Sequence, residues 1–184
     1  MNRCLTFNGL NFNQKNKMQF TFQPIQSKDF EDVISMFQAA ARKIHKMNID
    51  HWQYWKNPPL EKLNWVKDGM ANQEYFFIEN ADQQVIGMVR ILMEDLMYWG
   101  EQDEKAKYVH SLVVKEEFNG QGLGKKILQQ IAQHAKTEDC KYLRLDADSK
   151  NPKLCRYYEK QGFQKVGTKE LPISVYNLYQ KELI

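Results

Sequence analysis

The sequence has few of the features that mark secreted, membrane or metal-binding proteins. Its three cysteines, Cys4, Cys140 and Cys155, are widely spaced and form no C-x-x-C pair, so we predict reduced thiols in a cytoplasmic protein. No apolar run approaches the roughly 18 residues of a membrane span, and the N-terminus lacks the apolar core of a secretory signal. The histidines and cysteines have no metal-ligand spacing. We therefore expect neither a membrane association nor a metal.

The sequence also lacks a large excess of positive or negative charge. The formal net charge is +3, and no run of basic residues is longer than two. Nucleic-acid-binding domains usually carry a strongly basic patch, so we expect no nucleic-acid partner.

The length of 184 residues fits one domain, which we place at residues 18–184 behind an N-terminal extension at residues 1–17. The extension is rich in Asn and Gln and has no steady hydrophobic period. Its apolar residues Leu5, Phe7, Leu10 and Phe12 have roughly strand spacing, so a loose extension and a packed arm are both open.

Hydrophobic periodicity predicts strands and helices in the order β-α-α-β-β-β-α-β-α-β-β. Ser27 is a good N-cap for the first helix, and Asn151 with Pro152 starts the last helix, which Gly162 ends. The predicted strands are residues 18–24, 74–79, 85–93, 108–115, 142–147, 164–171 and 173–181; the predicted helices are residues 27–46, 60–71, 122–136 and 152–161. We expect the segments 48–59 and 94–107 to be irregular. This order indicates an α/β fold with a mixed sheet and helices on both faces.

A glycine-rich turn joins the predicted strand 108–115 to the helix that follows it. Residues 112–124 read LVVKEEFNGQGLG, with glycines at 120, 122 and 124. Glycine adopts backbone angles closed to other residues and leaves its amide uncovered. Amides at a helix N-terminus, where the helix dipole is positive, are a site for phosphate oxygens.

Two common phosphate-binding loops do not fit this turn. A Walker A loop needs glycine at position 119 and a hydroxyl at position 126, which are Asn119 and Lys126 here. A dinucleotide fingerprint needs a third glycine at position 125, which is Lys125.

The turn does resemble the signature of the GNAT superfamily of acetyltransferases, Gln/Arg-x-x-Gly-x-Gly/Ala between a strand and a helix. Asn119 departs from the pattern at its first position, so one cofactor contact is weaker or supplied elsewhere, for example by Lys125 or Lys126. Residues 151–163 look like the family's Asn-x6-Tyr-x3-Gly-Phe pattern, with Asn151 and Tyr158 in register. Residues 49–52 and 108–112 look like a bacterial branch whose acceptors are mostly unassigned.

This resemblance implies a mostly antiparallel central sheet and an acetyl-CoA-dependent N-acetyltransferase. The acetyl group would pass directly to a primary amine of a small molecule or peptide, and homodimers are common in the family. The diphosphate would lie on the amides of residues 121–125, and the pantetheine arm along residues 112–114, with a backbone N–H at 113 or 114 facing the thioester oxygen. The implied cofactor-binding residues are Leu112, Val113, Val114, Asn119, Gly120, Gln121, Gly122, Leu123, Gly124, Lys125, Asn151 and Tyr158.

The reaction needs an unprotonated amine, and a lysine-like ammonium has a pKa of about 10.4 in water. Candidates for the base are His110, Asp146, Glu94 and Asp95. His110 is the first choice, because it lies two residues before Leu112 and the two side chains should share one face of the strand. The alternative is that His110 has no catalytic role and is a half-buried strand residue. Tyr158 matches the tyrosine that serves as general acid in the family. The alternative is that Tyr158 is an aromatic residue of the core.

The acceptor itself is not encoded in any motif. By resemblance, the acceptor cleft would include Trp52, Trp55, Glu94, Trp99 and Asp146, although the aromatics could equally be packing residues. The acidic loop 94–104 would suit a cationic acceptor. A non-catalytic acyl-CoA-binding module remains the rival interpretation of the same motifs.

Overall fold

The computed structural model describes residues 20–183, so the predicted extension lies outside the described residues, and the domain boundary stays a prediction. One mixed sheet holds seven strands in the order β1-β2-β3-β4-β5-β7-β6, and every neighbouring pair is antiparallel except β4 and β5. The strands are β1 Thr21–Pro24, β2 Tyr75–Glu79, β3 Val85–Leu92, β4 Ala106–Val114, β5 Tyr142–Asp148, β6 Gln164–Glu170 and β7 Val175–Glu182.

Within residues 20–183, five α-helices accompany the sheet. They are α1 Phe30–Lys46, α2 Leu60–Ala71, α3 Leu96–Trp99, α4 Leu123–Thr137 and α5 Pro152–Glu159, and short 3-10 turns occupy Ser27–Asp29, Gln53–Lys56 and Glu116–Phe118. The mixed, mostly antiparallel sheet is confirmed, and the predicted order of elements matches except for α3, which was not predicted.

Two apolar clusters show that helices cover both faces of the sheet. On one face, α4 and α5 pack with side chains such as Ile127, Ile131 and Cys155. On the other face, α1 and α2 contribute Phe37 and Val66. Burial of one such side chain stabilises the fold by about 1.5–3 kcal/mol.

Local details differ from the sequence expectation at three places. Ser27 is not the helix cap, because Gln26 precedes a 3-10 turn and its backbone N–H donates to Asp29 Oδ2 at 2.9 Å. The segment 94–107 contains α3 and the first residues of β4, and the segment 48–59 contains a 3-10 turn. Both helical pieces are a single turn, too short to produce a readable hydrophobic period.

Within residues 20–183, no helix combines the length and apolar character needed to cross a bilayer. The same described part of the chain holds no group of three or more His, Cys, Asp or Glu side chains arranged to bind a metal ion. Cys140 and Cys155 are buried free thiols, and Cys4 lies outside the described residues.

Candidate active site

The middle of the sheet opens where β4 and β5 separate. These parallel strands pair only from Ala106 to Val109 on β4 and from Tyr142 to Leu145 on β5. Beyond that point β5 continues to pair with β7, while residues 110–114 of β4 pair only with β3. The backbone of β4 therefore has an open edge toward the gap.

A bulge in β4 accompanies this opening. Val113 pairs with Met88 and His110 with Arg90, so that two residues of β4, Ser111 and Leu112, oppose the single residue Val89. Ser111 has φ 53°, a left-handed conformation that is unusual for a residue with a side chain. Such a bulge bends a strand and re-aims its side chains.

The bulge corrects the prediction that His110 and Leu112 share a strand face. Val109 and Leu112 both pack with the cluster under α4, whereas Val113 packs with the cluster under α1. The extra residue has shifted the two-residue alternation, so that His110 lies on the α1 side and Leu112 on the α4 side.

A cavity of about 980 Å³ fills the gap and runs from α1 to α5. It brings together many of the residues predicted from the sequence. Those that line it are Trp52, Trp55, His110, Leu112, Val113, Val114, Asn119, Gly120, Asp146, Asn151 and Tyr158.

The start of α4 lies at one end of this cavity. Gly120 and Gly122 have φ +79° and +66°, and a Cβ placed on either would have no heavy atom within 4 Å. Among residues 20–183, nothing accepts a hydrogen bond from the backbone amides of residues 120–125. Uncovered donors at a helix N-terminus are a site for phosphate oxygens.

The other loop residues have distinct surroundings. Leu123 is buried in the core, Gln121 and Lys125 are exposed, and residues 121–125 do not themselves line the cavity. Gly124 lies against α5, since a Cβ there would come within 2.8 Å of the Tyr157 hydroxyl oxygen. The Tyr157 side chain therefore occupies the space that a Cβ at position 124 would need.

Sequence reasoning missed the cation that accompanies Asn119. Lys43 Nζ, from α1, donates to Asn119 Oδ1 at 2.6 Å, and Lys43 also lines the cavity. The helical period places Lys43 on the same stripe as Met36 and Ala40, but no sequence signal joins that stripe to a loop 76 residues away.

His110 lies between two carboxylates at the point where the strands part. Its Nε2 is 2.9 Å from Asp95 Oδ2, and its Nδ1 is 3.2 Å from Asp146 Oδ1. His110 directly follows the last residue of β4 that pairs with β5, and Asp146 directly follows the last residue of β5 that pairs with β4. In its protonated form the imidazole donates on both sides.

The pKa values of this group reflect burial and mutual charge. Burial lowers the pKa of His110, but the carboxylates of Asp146 and Asp95 outweigh burial and move the pKa upward overall. Burial is also the main cause that raises the pKa of Asp146 to about 6, with Asp95 adding to the rise and His110 opposing it. The Asp146 carboxylate is therefore ionised at neutral pH, and its raised pKa makes it a stronger base than an ordinary aspartate.

Helix α5 presents Asn151 and Tyr158 to the cavity. Asn151 Oδ1 accepts a hydrogen bond from the Leu154 backbone N–H at 3.1 Å, as predicted for an N-cap. Tyr158 is half-buried, with its ring packed against Phe163 and Tyr179. Burial, followed by the nearby Asp146 charge, raises the pKa of the Tyr158 hydroxyl, which stays protonated at neutral pH.

Aromatic side chains surround the cavity beyond His110. Tyr98 lies with its ring 5.3 Å from the His110 ring and nearly perpendicular to Tyr176, 5.2 Å away. Trp52 and Tyr54 complete this wall. Tyr54 and Tyr176 had no sequence signal, because neither belongs to a motif.

Two predicted acceptor-site residues, Trp99 and Glu94, lie outside the cavity, and a third, Trp55, reaches it from the core. Trp99 does not line the cavity, since it packs edge-on against Tyr108 and under the Arg144 guanidinium. Glu94 does not line the cavity itself but borders an adjoining pocket of about 180 Å³ that shares Tyr98 and His110 with it. Trp55 reaches the cavity but is mainly a core residue, 2% exposed and stacked on Phe37 with centroids 3.9 Å apart.

The acidic loop 94–104 does not supply carboxylates to the cavity. Asp95 is turned toward His110, and Glu104 pairs with Lys141 at 2.6 Å. The loop contributes only Met97 and Tyr98 to the cavity wall.

Known proteins resemble this chain in both sequence and fold. A profile of the acetyltransferase (GNAT) family matches residues 41–163. The uncharacterized N-acetyltransferase YesJ of Bacillus subtilis is 28% identical over 166 residues, which cover 87% of this chain and 88% of the relative.

Two solved structures illustrate the likeness of fold. A GNAT family acetyltransferase from Listeria monocytogenes has a TM-score of 0.71 at 22% identity, covering 89% of this chain and 95% of the other. Spermidine N-acetyltransferase from Vibrio cholerae, in complex with CoA and spermine, has a TM-score of 0.63 at 15% identity, covering 91% and 97%. Since the profile match spans more than half of the 184 residues, this chain belongs to the acetyltransferase (GNAT) family.

Proposed function

We propose that this protein is an acetyl-CoA-dependent N-acetyltransferase that transfers an acetyl group directly to a primary amine of a small molecule or peptide. The observation that carries the proposal is the gap between β4 and β5, whose cavity reaches Gly120, next to the uncovered amides at the start of α4. The open edge of β4 therefore lies in a cavity that adjoins a set of phosphate donors.

The α4 N-terminus binds the diphosphate through the amides of residues 121–125, where the helix dipole adds to the attraction. Lys43, held by Asn119, supplies the positive charge that the family's Gln/Arg position lacks here. The open edge of residues 112–114 pairs with the amides of the pantetheine arm like an added strand. The backbone N–H of Val114 stabilises the oxyanion that forms on the thioester carbonyl, because the Val113 carbonyl lies against Gly87 of β3 and the next N–H points the opposite way.

His110 and Asp146 together supply the base. The Asp146 carboxylate accepts the proton of the acceptor ammonium, and His110 holds that carboxylate through Nδ1. Asp95 keeps the imidazole oriented from the other side. Tyr158, protonated at neutral pH, donates to the departing thiolate from α5.

A thiol-release assay tests this function. The purified protein is mixed with acetyl-CoA and a panel of amines, polyamines, amino acids and peptides, and acetylated products are identified by mass. Acetylation of at least one amine is expected. Tight acetyl-CoA binding without turnover of any member of a broad panel would instead indicate the non-catalytic acyl-CoA-binding module.

A further inference from the structure

We propose that the acceptor is an amino carboxylate, carrying one amine and one carboxylate on an apolar or aromatic frame. This inference rests on the proposed function and names the substrate class of the same cavity. It follows from the charges and rings that line the cavity at the end away from the α4 N-terminus.

The amine end is defined by a single carboxylate. Among the described residues, the acidic side chains lining the cavity are Glu116, Glu117 and Asp146. The first two belong to the 3-10 turn that leads into Asn119, at the phosphate end. One ammonium group can therefore pair with Asp146, but a polyamine would leave its further ammonium groups without a partner there.

The frame of the acceptor meets aromatic rings. Trp52, Tyr54, Tyr98 and Tyr176 line the same part of the cavity, and Tyr98 packs directly against His110. Large, rigid rings favour a compact apolar or aromatic body over a long hydrophilic chain.

The carboxylate end is defined by Lys62, on the first turn of α2. Lys62 is half-buried, lines the cavity and has its Nζ 5.4 Å from the centroid of the Tyr54 ring. It forms no ion pair with any residue in 20–183. An ammonium that lies over an aromatic ring and has no ion-pair partner attracts a ligand anion and repels a second ligand cation.

Tyr54 lines the same cavity as Lys62 and Asp146. The ring face lies under Lys62. A ligand lying along Tyr54 would thus have its amine near Asp146 and its anion near Lys62.

Matched acceptors and a charge reversal test the inference. We would compare kcat/KM for 4-(aminomethyl)benzoate with benzylamine, for phenylalanine with 2-phenylethylamine, and for spermidine and cadaverine. The two amino acids distinguish a distant carboxylate from an adjacent one. In the wild type, at least one amino carboxylate should exceed its carboxylate-free partner by about tenfold.

Lys62→Glu should lower kcat/KM for the preferred amino carboxylate by about tenfold or more and raise it for cadaverine, while benzylamine changes little. Lys62→Met keeps the apolar stem and should lose only the preference for the carboxylate. Lys67→Glu is the matched control on the same helix, because Lys67 is exposed, lies over Phe30 and is outside the cavity.

Binding of the same acceptors to the protein with CoA, measured by calorimetry, covers the case in which turnover is low. Lys62-dependent binding of an amino carboxylate would support the inference even then. A preference for spermidine, or a Lys62→Glu variant that weakens all acceptors equally or none, would overturn it. Failure of every acceptor to release thiol would count against the proposed function instead.

Discussion

His110 Nδ1 lies 3.2 Å from Asp146 Oδ1, and the two residues are the first on each side of the gap after the paired part of β4 and β5 ends. The proposed base therefore lies at the vertex of the opening. A thioester carried along the open edge of β4 would reach the same point.

The first prediction concerns the pH dependence of kcat/KM. The Asp146 carboxylate accepts a proton only when it is ionised, and burial raises its pKa to about 6. We expect kcat/KM to fall as the pH decreases through about 6. Asp146→Asn should lower kcat/KM at neutral pH by about 100-fold or more and remove this titration. A variant that retains the same acidic limb would exclude Asp146 as its source.

The second prediction concerns Tyr158. Tyr158→Phe removes the hydroxyl but keeps the ring that packs on Phe163 and Tyr179. We expect kcat to fall by about 100-fold, with the Kd of acetyl-CoA within about threefold of wild type. Tyr142→Phe, at the far end of β5 outside the cavity, is the control. Unchanged kcat in Tyr158→Phe would make Tyr158 a packing residue.

The third prediction separates backbone strain from phosphate binding. Gly122 and Gly100 both have positive φ, +66° and +63°, with no heavy atom within 4 Å of a Cβ. Alanine at either position should destabilise the fold by a similar amount, about 1–2 kcal/mol, as urea unfolding would measure. Only Gly122→Ala should also weaken CoA binding, by about tenfold, because its methyl group would crowd the uncovered amides of residues 120–125. Equal affinities in the two variants would contradict this.

The fourth prediction concerns the cation at the loop. Lys43→Met keeps the apolar stem on α1 but removes the ammonium that Asn119 holds. We expect the Kd of acetyl-CoA to rise about tenfold at low salt and the difference to shrink at high salt, because screening weakens the interaction. Lys46→Met, exposed on the same helix, should bind like the wild type. Salt-independent or identical affinities would remove Lys43 from the binding site.

Local signals made most of the fold predictable. The helix predicted at residues 60–71 is α2, Leu60–Ala71, which begins directly after Pro58 and Pro59. The glycine turn before α4 and the Asn151 cap of α5 were also predicted, since each depends on residues close together in the chain.

Features that depend on distant residues were not predictable. The bulge at Ser111 arises from pairing with β3 and reverses the expected side of Leu112 relative to His110. The contact of Lys43 with Asn119 joins residues 76 apart. Trp99 is an aromatic residue of the kind that lines binding clefts, but its contacts with Tyr108 and Arg144 hold it outside the cavity.

A crystal structure of the protein with coenzyme A tests the central claim most directly. We predict diphosphate oxygens within hydrogen-bonding distance of the amides of residues 121–125, and the pantetheine arm paired with the open edge of β4 between His110 and Val114. A coenzyme bound away from the α4 N-terminus, or a gap between β4 and β5 closed by protein side chains, would contradict the account.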